Sequence, residues 1–198
     1  MVVDLRERIP VRAVVAQQAN YRLYKSELRA DFNSRCGYCD SIDEYFGGIS
    51  GAHIDHFAPK SKFPALASHY HNLVYSCPFC NRAKSNKWLG NNANIPNNGK
   101  AGFVDPCSDE LDKHLARRAS GEIVPTTSLG EYMVDHLKLR LVRHRFIWQA
   151  QQLDELLTRL LQLRPLVQRG NPRRLELLEA IADLLGAYQD YRRRIYGE

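Results

Sequence analysis

No run in the 198 residues approaches the roughly 18 consecutive apolar positions of a membrane-spanning helix, so no span is expected. The N-terminus has charges at Asp4, Arg6, Glu7 and Arg8 where a secretory signal has its apolar core, which predicts a cytoplasmic protein. Internal repeats and low-complexity tails are missing too, which excludes solenoids and disordered tails. Acidic residues are scarce in one place. Between 53 and 90, Asp55 alone faces Lys60, Lys62, Arg82, Lys84 and Lys87, within a chain of net charge +6. Such one-sided charge points to a polyanionic partner.

Cysteine is also sparse, and four of the five fall in two Cys-x-x-Cys pairs, "CGYC" at 36–39 and "CPFC" at 77–80. Thiols stay reduced in the cytoplasm, so the pairs read as metal thiolates and not disulfides. Zinc favours four tetrahedral sulfur or nitrogen ligands, and Cys36, Cys39, Cys77 and Cys80 complete that set. With no position left for water, the predicted Zn2+ is structural. The fifth, Cys107, reads as a small, partly buried side chain.

Thirty-seven residues separate the pairs, more than a simple zinc-binding loop needs. The insert holds "HIDHFAPK" at 53–60, then Asn72, with Asn81 directly behind the second pair. Phosphodiester hydrolysis requires a water nucleophile, a base and a cation for the developing charge. Histidine suits the base at neutral pH, and one carboxylate with one amide oxygen suits Mg2+ or Mn2+. Alternation along a strand lets Asp55 and His56 face different groups, while His53 shares parity with Asp55. His53 is therefore either a third metal neighbour or a buried, hydrogen-bonded histidine.

The pattern "DH…N…CPFCN" with Lys84 resembles the HNH endonucleases of the ββα-metal type, in the subclass braced by four cysteines. The resemblance covers 36–87, with Asn81 standing where the last motif letter is histidine. It implies His56 as general base, Asp55 and Asn81 on the catalytic metal, and Asn72 in support through the histidine's loop. Lys60, Lys62, Arg82, Lys84 and Lys87 are then candidates for the nucleic-acid backbone. The rival reading is a non-catalytic, zinc-dependent nucleic-acid binder or adaptor.

Around this core the pattern predicts an amphipathic helix from Ala13 to about Arg35, two strands within 46–59, and a loop at "GNNANIPNNGKAG". Short strands or turns are expected at "FVDP" and "GEIVP". From Leu129 a long helix free of proline runs to Pro165, and a second from Pro172 carries Leu175, Leu178, Ala182 and Leu185 as its stripe. The whole reads as α+β: an N-terminal strand and helix (1–35), the zinc-braced core with an irregular extension (36–128), and a C-terminal helical region (129–198). Leu153, Leu156, Leu157, Leu160, Leu161 and Leu163 make a stripe wide enough to pack on the core or to dock a second chain. With the Leu-rich helix, the motifs resemble the HNH nucleases of Septu-type and retron-associated anti-phage modules. That resemblance implies DNA as substrate and an ABC- or SMC-type ATPase as partner of the C-terminal helices.

Overall fold

The computed structural model describes residues 2–168 and 170–197 and divides into two units, Met1–Leu141 and Val142–Glu198. The first unit runs through β1 (Val2–Asp4), α1 (Lys25–Asp31), α2 (Gly48–Gly51), β2 (His53–His56), β3 (Leu73–Ser76) and α3 (Pro78–Lys84). It continues with α4 (Leu111–His114), β4 (Leu115–Arg118), β5 (Ile123–Pro125) and α5 (Ser128–His136). The second unit holds α6 (Val142–Leu163) and α7 (Arg173–Tyr196). The fold is thus mixed helix and sheet, as the sequence predicts, and no helix among the described residues is long and apolar enough to cross a membrane.

Two small sheets organise the first unit. β2 and β3 pair antiparallel, with His53 opposite Ser76 and His56 opposite Leu73, and a second sheet has the order β1-β4-β5. β3 is buried along its whole length, in keeping with its Leu-Val-Tyr-Ser sequence. α3 follows at once because Cys77 caps it, its sulfur accepting from the Cys80 amide at 3.4 Å, and Pro78 supplies a preset φ at the first turn. The result is a ββα unit. Leu5, Leu28, Phe32, Leu73, Tyr75, Phe103, Leu111, Leu115, Ile123 and Met133 join in one core around it.

Several expectations are corrected. The N-terminal helix covers only a 3-10 turn at Tyr21–Tyr24 and α1, because side chains take the amides before it: Ala13 donates to Asp31 and Gln18 to the Tyr24 hydroxyl. Asn20 caps the turn, Asn33 and Ser34 end α1 with positive φ, and Val14 is fully exposed. Arg6 and Arg12 tether the irregular N-terminal stretch, Arg6 on Asp112 and Arg12 on Asp105 and the Leu73 carbonyl. Residues 46–59 form one strand with α2 before it, since the strand's partner is β3; of the two segments expected as short strands or turns, "FVDP" runs into a turn at Pro106 and "GEIVP" carries β5.

The predicted long helix from Leu129 is broken. Lys138 adopts a left-handed φ of 57° after α5, and Leu129, Met133, Val134, Leu137 and Leu139 turn into the core of the first unit. The division therefore falls after Leu141 and not at 129. α6 and α7 pack as a hairpin, with Phe146 and Tyr191 rings 5.8 Å apart. The expected α7 stripe faces outward: Leu175 and Leu185 are 64% and 45% exposed, and Leu177, Ile181, Leu184, Tyr188 and Tyr191 are the half-buried set. On α6, Leu157 is buried, Leu153 and Leu160 are half-buried, and Leu156, Leu161 and Leu163 are exposed.

Gly130 shows how tightly α5 lies on its neighbours, because a β-carbon there would sit 1.9 Å from the His114 carbonyl oxygen. Gly130→Ala is expected to lower the unfolding free energy by about 1–3 kcal/mol through overpacking, measured by urea denaturation.

Candidate active site

The ββα unit brings both cysteine pairs together. Cys36, Cys39, Cys77 and Cys80 are all buried, with their sulfurs within 4.8 Å of one another. A tetrahedron with metal–sulfur bonds of about 2.3 Å has edges of about 3.8 Å, and Cys39 and Cys77 stand 3.9 Å apart. Burial pushes the Cys36 thiol well above its usual range, so a thiolate there needs a cation beside it. The donor set and spacing fit zinc. Arg117, itself fully buried, donates to the carbonyls of Cys39 and Gly121, both at 2.9 Å, and so ties β4 to the first knuckle. Cys107 is half-buried outside this cluster, its thiol pushed up to about 12 by burial.

Asp55 is 5% exposed, at the floor of an open cavity whose walls include His56, Lys60, Asn81 and Arg82. One of its oxygens takes both the Tyr38 hydroxyl at 2.5 Å and the Lys84 ammonium at 3.1 Å. Lys84 also donates to the His56 carbonyl at 2.9 Å, and none of its side chain reaches solvent. The expectation that Lys84 faces nucleic acid is thereby corrected: it is a buried counter-charge. Burial still pushes Asp55 up and Lys84 down, toward their neutral forms, against their mutual attraction. A divalent cation in the cavity would restore the carboxylate, so the environment of Asp55 fits a metal ligand.

The His56 imidazole is held by its Nε2, 2.9 Å from the Ala67 carbonyl. A carbonyl only accepts, so Nε2 carries the proton and Nδ1 keeps its lone pair. Burial lowers the pKa of His56 below its ordinary value, which leaves the ring neutral at pH 7. The loop that presents Ala67 is strapped by Asn72, whose oxygen accepts from the Ala58 amide at 2.8 Å. Its nitrogen donates to the carbonyls of Ala58 at 3.0 Å and Leu66 at 3.3 Å.

Asn81, on α3, lines the same cavity, and its amide nitrogen lies 2.9 Å from His53 Nδ1. His53 is exposed, so the buried alternative for it is corrected. Lys60 and Arg82 are exposed on the cavity walls. Lys62 is exposed with its ammonium on the Trp88 carbonyl, and Lys87 donates to Ala83 and His136. Neither Lys62 nor Lys87 lines the cavity.

Three contributors escape sequence reasoning. Tyr38 carries a signal only in lying inside the first knuckle, while Tyr21 and Arg117 are remote from the motif and have none.

A four-thiol cluster braces a ββα unit that sets a histidine, a carboxylate and an amide on one cavity. Residues 36–87 match the HNH endonuclease family, and the chain carries an HNH domain of the four-cysteine kind over that stretch. Over 129 residues the chain is 30% identical to the Septu protein PtuB of Bacillus mycoides (strain KBAB4). The matched stretch spans 52% of this chain and 43% of that relative, less than half its length. No solved structure matches.

Cys77→Ser is expected to drop bound zinc from about one ion per chain to near zero and to lower the urea midpoint, with metal read by atomic emission. Lys84→Met, which strands the Asp55 carboxylate, should cost about 3–5 kcal/mol of stability in the same denaturation assay.

Proposed function

We propose that this chain is a divalent-metal-dependent endonuclease that hydrolyses DNA phosphodiester bonds, and that it works in the cytoplasm as the nuclease of a Septu-type anti-phage module. The observation that carries this reading is His56: a neutral imidazole with one nitrogen committed to Ala67 and the other holding a lone pair, on one cavity with Asp55 and Asn81. A protein that only bound nucleic acid would have no use for a base fixed in one tautomer beside a carboxylate that repels phosphate.

His56 accepts the proton of the attacking water on Nδ1. Asn72 acts at one remove, by holding the loop whose Ala67 carbonyl orients the ring. Asp55 and Asn81 would hold Mg2+ or Mn2+, which when bound supplies charge neutralisation at the phosphoryl and leaving oxygens. Tyr38 and Lys84 keep Asp55 in place from beneath. Lys60 and Arg82 offer cations to the backbone of the substrate at the cavity walls. The exposed leucines of α6 and α7, among them Leu156, Leu161, Leu175 and Leu185, are the docking surface for an ATPase partner of the ABC or SMC type.

The test is incubation of purified protein with plasmid DNA and Mg2+ or Mn2+, beside His56→Ala. Wild type should nick or linearise the plasmid, His56→Ala should be slower by about 10²-fold or more, and EDTA should stop the reaction. Equal cutting by both proteins, or cutting that survives EDTA, rules the mechanism out.

A further inference from the structure

The candidate base has a neighbour from outside the motif. Tyr21, the first residue of the capped 3-10 turn before α1, stands edge-on to His56, with ring centroids 4.6 Å apart and planes inclined at 69°. The Lys60 ammonium sits 4.6 Å from the centre of the Tyr21 ring and 3.3 Å from its hydroxyl, and the Arg22 guanidinium flanks the same ring at 5.9 Å. A half-buried tyrosine carrying two cations on its ring and touching the imidazole sets positive charge and an aromatic surface side by side, the pair of features by which a nucleic-acid strand is held.

Tyr21 and Asn81 are also shared walls. On one side lies the cavity of Asp55, His56, Lys60 and Arg82, and on the other a second open concavity lined by Arg22, Lys25 and His53. No carboxylate among the described residues lines the second concavity. A phosphodiester at His56 belongs to a polymer whose next phosphates lie only a few ångströms away along the strand, so cations on one bank alone would leave the other half of the strand unheld. Lys60 and Arg82 supply one bank. Arg22 and Lys25 stand where the other is needed, and the Tyr21 ring between them offers a face or edge to a base or sugar.

We propose that Tyr21, Arg22 and Lys25 form the second bank of the nucleic-acid groove, holding the DNA backbone on the His53 side of the cleaved phosphate, with Tyr21 also a positioning residue for His56. The inference rests on the endonuclease reading for the position of the cleaved phosphate. Its charge component is separable from catalysis, because it concerns binding.

The binding arm uses the full chain carrying His56→Ala, with no Mg2+ or Mn2+ added so that the probe stays intact, and a fluorescein-labelled DNA duplex followed by anisotropy between roughly 50 and 200 mM salt. Adding Arg22→Glu and Lys25→Glu should weaken binding about tenfold or more and reduce the slope of log affinity against log salt by about 2, as loss of two phosphate contacts requires. Zinc content equal to the parent's keeps misfolding from imitating this result. In the cutting arm, Tyr21→Ala should lower kcat by about 10- to 100-fold through a displaced imidazole, and Tyr21→Phe, which keeps the ring, should restore it.

An unchanged salt slope and affinity in the double charge reversal, while wild type still cuts, overturns the groove and leaves the endonuclease reading standing. Loss of slope in a protein whose wild type never cuts supports the groove and removes the endonuclease reading instead. A Tyr21→Phe chain as slow as Tyr21→Ala overturns the positioning role.

Discussion

The site hangs on the meeting of four thiols. Cys36 and Cys39 come from the turn after α1, Cys77 and Cys80 from the start of α3, and the stretch between them holds β2, the loop and β3. Closing a loop of this length costs chain entropy that a two-stranded hairpin does not recover by itself. A zinc ion held by the four thiols, where both ends of the loop meet, would supply that closure outright. Because Cys77 is at once the cap of α3 and a member of the cluster, the same contact sets where the helix carrying Asn81 and Lys84 begins.

On that brace sits a second constraint, the burial of charge. Asp55 is at the cavity floor with Tyr38 and Lys84 on one oxygen, and Tyr38 belongs to the first cysteine knuckle. The four-thiol cluster and the cavity over Asp55 are therefore one hydrogen bond apart. Neither charge of the Asp55–Lys84 pair is fully repaid for its burial, which suits a carboxylate that is to share itself with an incoming cation. His56 is tuned oppositely: burial keeps it neutral, and one backbone carbonyl decides which nitrogen can take a proton. Two adjacent residues of one short strand thus have separate surroundings, Asp55 on Tyr38 and Lys84 and His56 on the Ala67 carbonyl.

How far the sequence could be read follows from how local each signal is. The cysteine pairs, the Asp55–His56 doublet and Asn81 behind the second knuckle announce themselves by spacing, and the structure gathers them at one ββα unit, with the first pair reaching it from the turn after α1. Periodicity misled where tertiary contacts overrode it. The apolar residues from Val14 to Leu28 have helical spacing, yet amides in 13–18 are taken by Asp31 and the Tyr24 hydroxyl, so only the last part is helical. The leucines after 129 continue one helical pattern, but those up to Leu139 are drawn into the core and force the turn at Lys138. On α7, two apolar stripes compete, and the one of Leu177, Ile181 and Leu184 faces inward.

The sequence by itself determined which donor groups are present and how they are spaced, because four thiols in two pairs, a carboxylate beside an imidazole and a basic surround are properties of residue types and their order. It could not say which lysine is buried, since Lys60 and Lys84 differ only in what folds over them: Lys60 stands in solvent against Tyr21, and Lys84 lies sealed under Asp55. Nor could it bring Tyr21, Tyr38 and Arg117 to the site, for these are contacts made across long stretches of chain. Only the tertiary structure decides them, because a charge or a ring acquires its role from the burial and the partners that the rest of the fold imposes.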